Sequence, residues 1–76
     1  MRIDIPIGIG YDSNIDIARE KLLPLLTEHK DIKNSPTPSV AVTELADSSV
    51  NLELRGFCNA EDYASIYVDI LEDALV

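Results

Sequence analysis

The chain has no tryptophan, a single phenylalanine, a single histidine, a single cysteine, three glycines and only six lysines and arginines together. Each shortage removes a class of function. A lone cysteine, Cys58, closes no internal disulfide, so nothing requires an oxidising compartment and a reducing cytoplasm fits. Six scattered cations face fourteen carboxylates, for a net charge of −8. Phosphate neutralisation needs clustered Lys and Arg, so nucleic acid is excluded as a partner. The uncharged run from Ile5 to Tyr11 is far short of the ~20 apolar residues that span a bilayer, and no basic leader with a cleavage site precedes it. The residues at hand therefore read as soluble.

What is present reads as a small folded domain. Hydrophobic residues make up 46% of the 76 positions, too many for the composition of a disordered chain. At this size folding buries only about 60% of the surface of the extended chain, so the expected core is thin. The acidic residues are spread along the chain and not gathered in a tail, and such a surface concentrates cations beside it.

Ile3, Ile5, Ile7, Ile9 and Tyr11 alternate with Arg2, Asp4, Pro6, Gly8 and Gly10, a period of two that predicts a strand with one buried face. Pro6 lacks an N–H, which confines that strand to a sheet edge or a bulge. Ile15, Ala18, Leu22, Leu25, Leu26 and His29 then recur at helical spacing, with Ser13 and Asp16 arranged like a capping box, and predict a helix over 14–29. Pro24 removes a bond to the Glu20 carbonyl and is expected to kink it. From Lys30 to Ser39 the breakers Asn34, Ser35, Pro36 and Pro38 mark the one long loop.

Val40 and Val42, then Val50, Leu52 and Leu54, predict two further strands around a turn within Leu45 to Ser48. If all five share a face, register parity requires a turn of three or five residues. Ala41, Thr43, Leu45, Asn51, Glu53, Arg55 and Phe57 then form a mixed outer face, better suited to a neighbouring subunit than to a core. Tyr63, Ile66, Tyr67, Ile70, Leu71 and Ala74 predict a second helix, opened by Asn59 as cap and by Glu61 and Asp62, and running to Val76 with nothing to stop it.

The order strand, helix, strand, strand, helix predicts an α+β fold of ferredoxin-like kind. It is a β-α-β-β-α arrangement, an antiparallel sheet with two helices on one face and the final strand missing. In the complete topology that strand pairs with the first, which is left as an open edge where another chain could add on.

Several constellations have plainer readings. Gly8-Ile9-Gly10 lies between a strand and a helix, as a dinucleotide turn would, but its third glycine position is Ser13 and no cation is near. Asp12, Asn14 and Asp16 match three ligand positions of a calcium loop, yet the required Gly and Glu are Ile17 and Leu23, and helix capping accounts for them. His29 suits a helix C-terminus and Cys58 a quiet buried thiol. Glu44, Asp47 and Glu53 read as a solvated rim near the hairpin. No catalytic residue, metal ligand or cofactor site is assigned, and the chain is not expected to be an enzyme.

The stretch Val42-Thr43-Glu44-Leu45-Ala46-Asp47-Ser48-Ser49-Val50-Asn51-Leu52-Glu53-Leu54-Arg55 strongly resembles the hallmark segment of the small-conductance mechanosensitive channel family, Thr-Glu-Leu-Gly-Asp-Ser-Ser-Val-Asn-Leu. Gly10-Tyr11-Asp12, His29, the Pro36 and Pro38 loop and Glu61-Asp62-Tyr63 extend the likeness. The resemblance implies that residues 1–76 are a truncated C-terminal α/β domain of the channel's cytoplasmic vestibule. It further implies a homo-oligomer of seven subunits, on the cytoplasmic side of a cell membrane, through which ions pass during osmotic-stress release. Membrane helices, gating and the middle β-domain would lie outside this chain.

The segment Thr43, Glu44, Leu45, Asp47, Ser48, Ser49, Val50, Asn51 and Leu52 is the site the resemblance marks. Ala46 stands where the family has Gly, so a turn needing positive φ there would have to move it to Asp47. Gly56-Phe57 replaces a common aliphatic-Trp pair. The competing reading is a stand-alone ferredoxin-like sensor that binds a small ligand at a subunit interface.

Overall fold

The computed structural model describes residues 1–74. Strand β1 (Arg2–Gly10), helix α1 (Ile15–Thr27), strands β2 (Ser39–Leu45) and β3 (Ser49–Phe57) and helix α2 (Tyr63–Ala74) follow in the expected order, with a single 3-10 turn at Ala60–Asp62 leading into α2. The sheet is antiparallel with strand order β1-β3-β2. Both helices pack on one face: Leu22 and Leu26 of α1 and Ile66 and Ile70 of α2 join Ile3, Ile5, Val40, Val50, Leu52 and Leu54 in one buried cluster. The first isoleucine segment and the Val-Asn-Leu-Glu-Leu segment are direct neighbours, with Ile5 opposite Leu54 and Ile7 opposite Leu52.

The alternation in β1 is graded along its length. Ile3 and Ile5 are fully buried, Ile7 and Ile9 half-buried, and Tyr11 lies beyond the strand and exposed. Tyr11 was expected on the inner face, but the main chain turns at Gly10, whose carbonyl accepts from Ser13 N–H at 3.0 Å. The tyrosine hydroxyl instead donates to the Ala46 carbonyl in the hairpin turn.

Main-chain polarity across β1 is set by one observation. Met1 and Cys58 exchange both hydrogen bonds, at 2.9 and 3.0 Å. Bonding pairs alternate along an antiparallel ladder, so Ile3, Ile5, Ile7 and Ile9 bond to β3 while Arg2, Asp4, Pro6, Gly8 and Gly10 turn their main-chain groups to the open edge. Pro6 therefore lacks a donor only where β3 needs none.

Asn14, and not Ser13, caps α1. Its side-chain oxygen accepts from the N–H groups of Asp16 and Ile17 at 2.9 and 3.2 Å. Asp16 then serves the first turn as a carboxylate facing the positive helix end. The helix runs unbroken through Pro24 and ends at Thr27, with His29 beyond it. Asn59 precedes the 3-10 turn but makes no side-chain capping bond. The expected continuation of α2 to Val76 lies outside the described residues.

The long loop contributes to the core in a way its composition concealed. Ile32 and Pro38 are buried within it, and Lys33 N–H donates to the Phe57 carbonyl at 2.8 Å, tying the loop to the end of β3. Gly56 is buried beneath Ile32: a Cβ added there would lie 3.3 Å from Ile32 Cγ2.

The hairpin departs from the expected three- or five-residue turn. Val40 pairs with Leu54 and Val42 with Leu52 in the expected parity, but Glu44 pairs with Asn51 and Leu45 with Val50 in the opposite one. A bulge at Thr43 absorbs the odd residue, and the chain reverses through the two residues Asp47 and Ser48, closed by Ala46 N–H donating to the Ser49 carbonyl at 2.9 Å. No described residue has positive φ, so Ala46 in place of Gly creates no strain and none is transferred to Asp47.

Candidate functional site

The hairpin segment is held by a set of short polar contacts centred on Asn51. The bulge leaves the Asn51 carbonyl, which faces β2, open to the Thr43 hydroxyl, which donates to it at 3.2 Å. The Asn51 side chain accepts from the Ser49 hydroxyl at 3.3 Å and donates to the Glu44 carboxylate at 3.4 Å. Four residues of the marked segment thus bond one another, across the bulge and across the strand pair.

The other members divide between core and solvent. Val50 and Leu52 are buried on the inner face, whereas Asp47 and Ser48 are exposed at the turn. Leu45 was expected on the outer face beside Asn51. The bulge places it opposite Val50, where it remains 68% exposed beyond the reach of α1. Val42, at 40%, and Tyr11, at 52%, add to the exposed apolar surface near the hairpin.

Replacing Asn51 by Ala is expected to cost about 1 kcal/mol, because it removes partners from Ser49 and Glu44 at a half-exposed site where water compensates in part. The loss should appear in the urea midpoint. A midpoint equal to that of the parent would mean that the contacts around Asn51 do not hold the hairpin.

The outer sheet face carries an ion pair along β1 and another along β3. Arg55 Nε lies 2.6 Å from Glu53 Oε1, and Arg2 lies 3.0 Å from Asp4 Oδ2. Glu44 and Asp47 are exposed, as a rim should be, while Glu53 is half-buried through its contact with Arg55. Between Pro6, Gly8, Thr43, Glu44 and Asn51 the face dips into a shallow depression of about 350 Å³, because Gly8 stands opposite Asn51 with no side chain to fill the space.

The remaining candidates take structural places. Gly8 and Gly10 lie within β1, an antiparallel edge strand, and not in a phosphate-binding turn. Asn14 is a cap. Cys58 is fully buried beside the core. Among the described residues no group of three or more His, Cys, Asp and Glu side chains is placed to hold a metal.

His29 is better anchored than its position suggested. Nδ1 accepts from Asp31 N–H at 3.1 Å and Nε2 lies 3.2 Å from Asp69 Oδ2, so the neutral ring with its proton on Nε2 satisfies both and joins the end of α1 to α2. Arg19 of α1 donates to the Val40 carbonyl of β2 at 3.2 Å. Neither contact carried a signal in the sequence, since each joins residues that only the fold brings together.

The family model described as "Mechanosensitive ion channel MscS, C-terminal" matches residues 3–75. The chain belongs to this family.

The MscS C-terminal domain so identified is similar to an uncharacterized MscS family protein of Synechocystis, 37% identical over 71 residues that cover 93% of this chain and 24% of that protein. It is similar also to the small-conductance mechanosensitive channel of Edwardsiella ictaluri, 33% identical over 72 residues covering 95% of this chain and 25% of that one. In fold it matches the crystal structure of Helicobacter pylori MscS in the closed state, with a TM-score of 0.80 at 23% identity over 99% of this chain and 31% of that chain. The MscS domain described here thus spans about a quarter of the length of the curated relatives it matches. The family is one of channels and not of enzymes. No helix among the described residues is long and apolar enough to cross a membrane.

Proposed function

We propose that residues 1–76 form the vestibule domain of a small-conductance mechanosensitive channel, on the cytoplasmic side of the cell membrane. There the domain contributes to subunit assembly and to the passage and selection of ions released under osmotic stress. The observation that carries this reading is the family match over almost the whole chain, from residue 3 to residue 75. In this reading seven copies surround a hollow chamber below the pore, and segments outside this chain sense tension and cross the membrane.

Two features of the surface support it. The acids Glu44 and Asp47 are exposed near the hairpin and Glu53 is half-buried further along β3, so a chamber lined in this way raises the local concentration of cations. The outer sheet face, half-buried and of mixed polarity along β3, suits contact with a neighbouring subunit. The family match over residues 3–75 favours this reading over a stand-alone ligand sensor.

The test is charge reversal in the full-length channel. With Glu44→Lys, Asp47→Lys and Glu53→Lys together, single-channel recordings in asymmetric salt are expected to show the reversal potential displaced toward anions, more strongly at low ionic strength. A reversal potential identical to that of the parent channel would remove these three residues from any part in ion selection.

A further inference from the structure

Among the described residues the sheet has two open edges, β1 and β2, and each carries a feature that obstructs strand addition. We infer that Pro6 is an edge guard, whose ring prevents the β1 edge from pairing with the β1 edge of a second copy of this chain. The inference rests on the fold alone and is independent of the channel reading.

The β1 edge is otherwise a good template. It is nine residues long, it carries no charge from Ile5 onward, and Ile7 and Ile9 are only half-buried beside a largely apolar groove of about 260 Å³, lined by Ala18, Leu22, Leu25 and Ala74 and flanked by Lys21 and Asp73. A second strand laid along this edge would cover that groove. Exposed, apolar edges of this kind associate unless something interrupts them.

The interruption lies at the middle of the edge. The outward-facing residues are Arg2, Asp4, Pro6, Gly8 and Gly10, as the Met1 and Cys58 exchange requires. In an antiparallel, two-fold pairing of two β1 edges, Pro6 stands opposite one of these five in every register that joins more than two of them. The ring then occupies the place of a donor and meets a partner carbonyl, and symmetry repeats the clash. Registers that avoid it join only Arg2 and Asp4, which are charged, or only Gly8 and Gly10, and the Gly10 carbonyl is already engaged by Ser13. A proline nearer either end would leave longer registers open.

The opposite edge is treated in the same way by different means. Lys33 N–H meeting the Phe57 carbonyl shows that odd-numbered residues of β3 face β2, so Ser39 and Ala41 bond inward while Val40 and Val42 face the open side. Arg19 occupies the Val40 carbonyl, and the bulge at Thr43 bends the strand just beyond Val42. An edge strand is commonly blunted by such devices.

The experiment restores the missing donor. Pro6→Val is expected to convert the 8.4 kDa chain, at high micromolar concentration and ~0.15 M salt to screen its net charge, into a species of twice that mass in sedimentation equilibrium. Pro6→Ala restores the same N–H with less strand preference and should dimerise more weakly. Adding Gly8→Pro to Pro6→Val leaves open only registers confined to Arg2, Asp4 and residue 6, the longest of which sets Asp4 against Asp4, and should weaken the dimer. In the parent chain the Gly8 amide should exchange with solvent far faster than the Ile7 amide.

Two results would overturn the inference. One is that Pro6→Val and Pro6→Ala both remain monomeric at concentrations where the parent does. The other is that the parent already associates with its Gly8 amide protected.

Discussion

Leu52→Ala is expected to lower stability by about 3 kcal/mol, read as a fall in the urea midpoint at unchanged slope. Leu52 is fully buried in the core cluster and stands opposite Ile7 on one side and Val42 on the other. Deleting its branched end leaves a cavity that a thin core has little means to fill. A domain of this size has roughly 4–11 kcal/mol of stability in all, so the variant should lose a large fraction of its margin. Leu45→Ala, in the same hallmark segment, should change stability by less than about 0.5 kcal/mol because Leu45 is exposed. Equal losses for the two leucines would contradict the exposure of Leu45 at the hairpin.

Gly56→Val should cost about 1–3 kcal/mol through overpacking. The added side chain would press on Ile32 Cγ2 at 3.3 Å and Cδ1 at 3.7 Å, and on Ile3 Cγ2 at 3.9 Å, in a position with no open space. The cause is testable by a double-mutant cycle. Ile32→Ala removes the contact, so its combination with Gly56→Val should be less harmful than the sum of the single changes by at least about 0.5 kcal/mol. Additive losses would place the strain in the β3 main chain and not between these two side chains. The glycine at position 56 is then explained locally, by the isoleucine of the loop that covers it.

The hallmark segment gains a physical meaning from its contacts. The alternation of Val50, Leu52 and Leu54 makes the inner face, and this was evident from spacing alone. The polar members do something different. Thr43, Glu44, Ser49 and Asn51 brace a bulge, and the bulge turns Leu45 to the same side of the sheet as Val42, opposite Val50 and Leu52. Both remain exposed there.

The edge argument shows how one proline can be read in two ways. At the level of pattern, Pro6 marks an edge strand, because a central strand would be left without a bond. With the ladder known, its position becomes specific: the absent N–H points outward and costs the β1–β3 pairing nothing, while the ring obstructs the open side. The tolerance and the obstruction are the same fact seen from opposite sides of the strand.

Elements whose cause is local could be read from residue order. A period of two made β1 and β3, a period near 3.6 made α1 and α2, and the breakers from Asn34 to Pro38 made the loop, because each depends on side chains a few positions apart. Features that depend on distant residues meeting became visible only in three dimensions. The bulge at Thr43 needs Asn51, the burial of Ile32 needs Gly56, Tyr11 leaves the inner face for Ala46, and His29 joins Asp69 across forty positions. Periodicity records which face a residue prefers, but the free energy of a particular contact exists only once packing has brought both partners together.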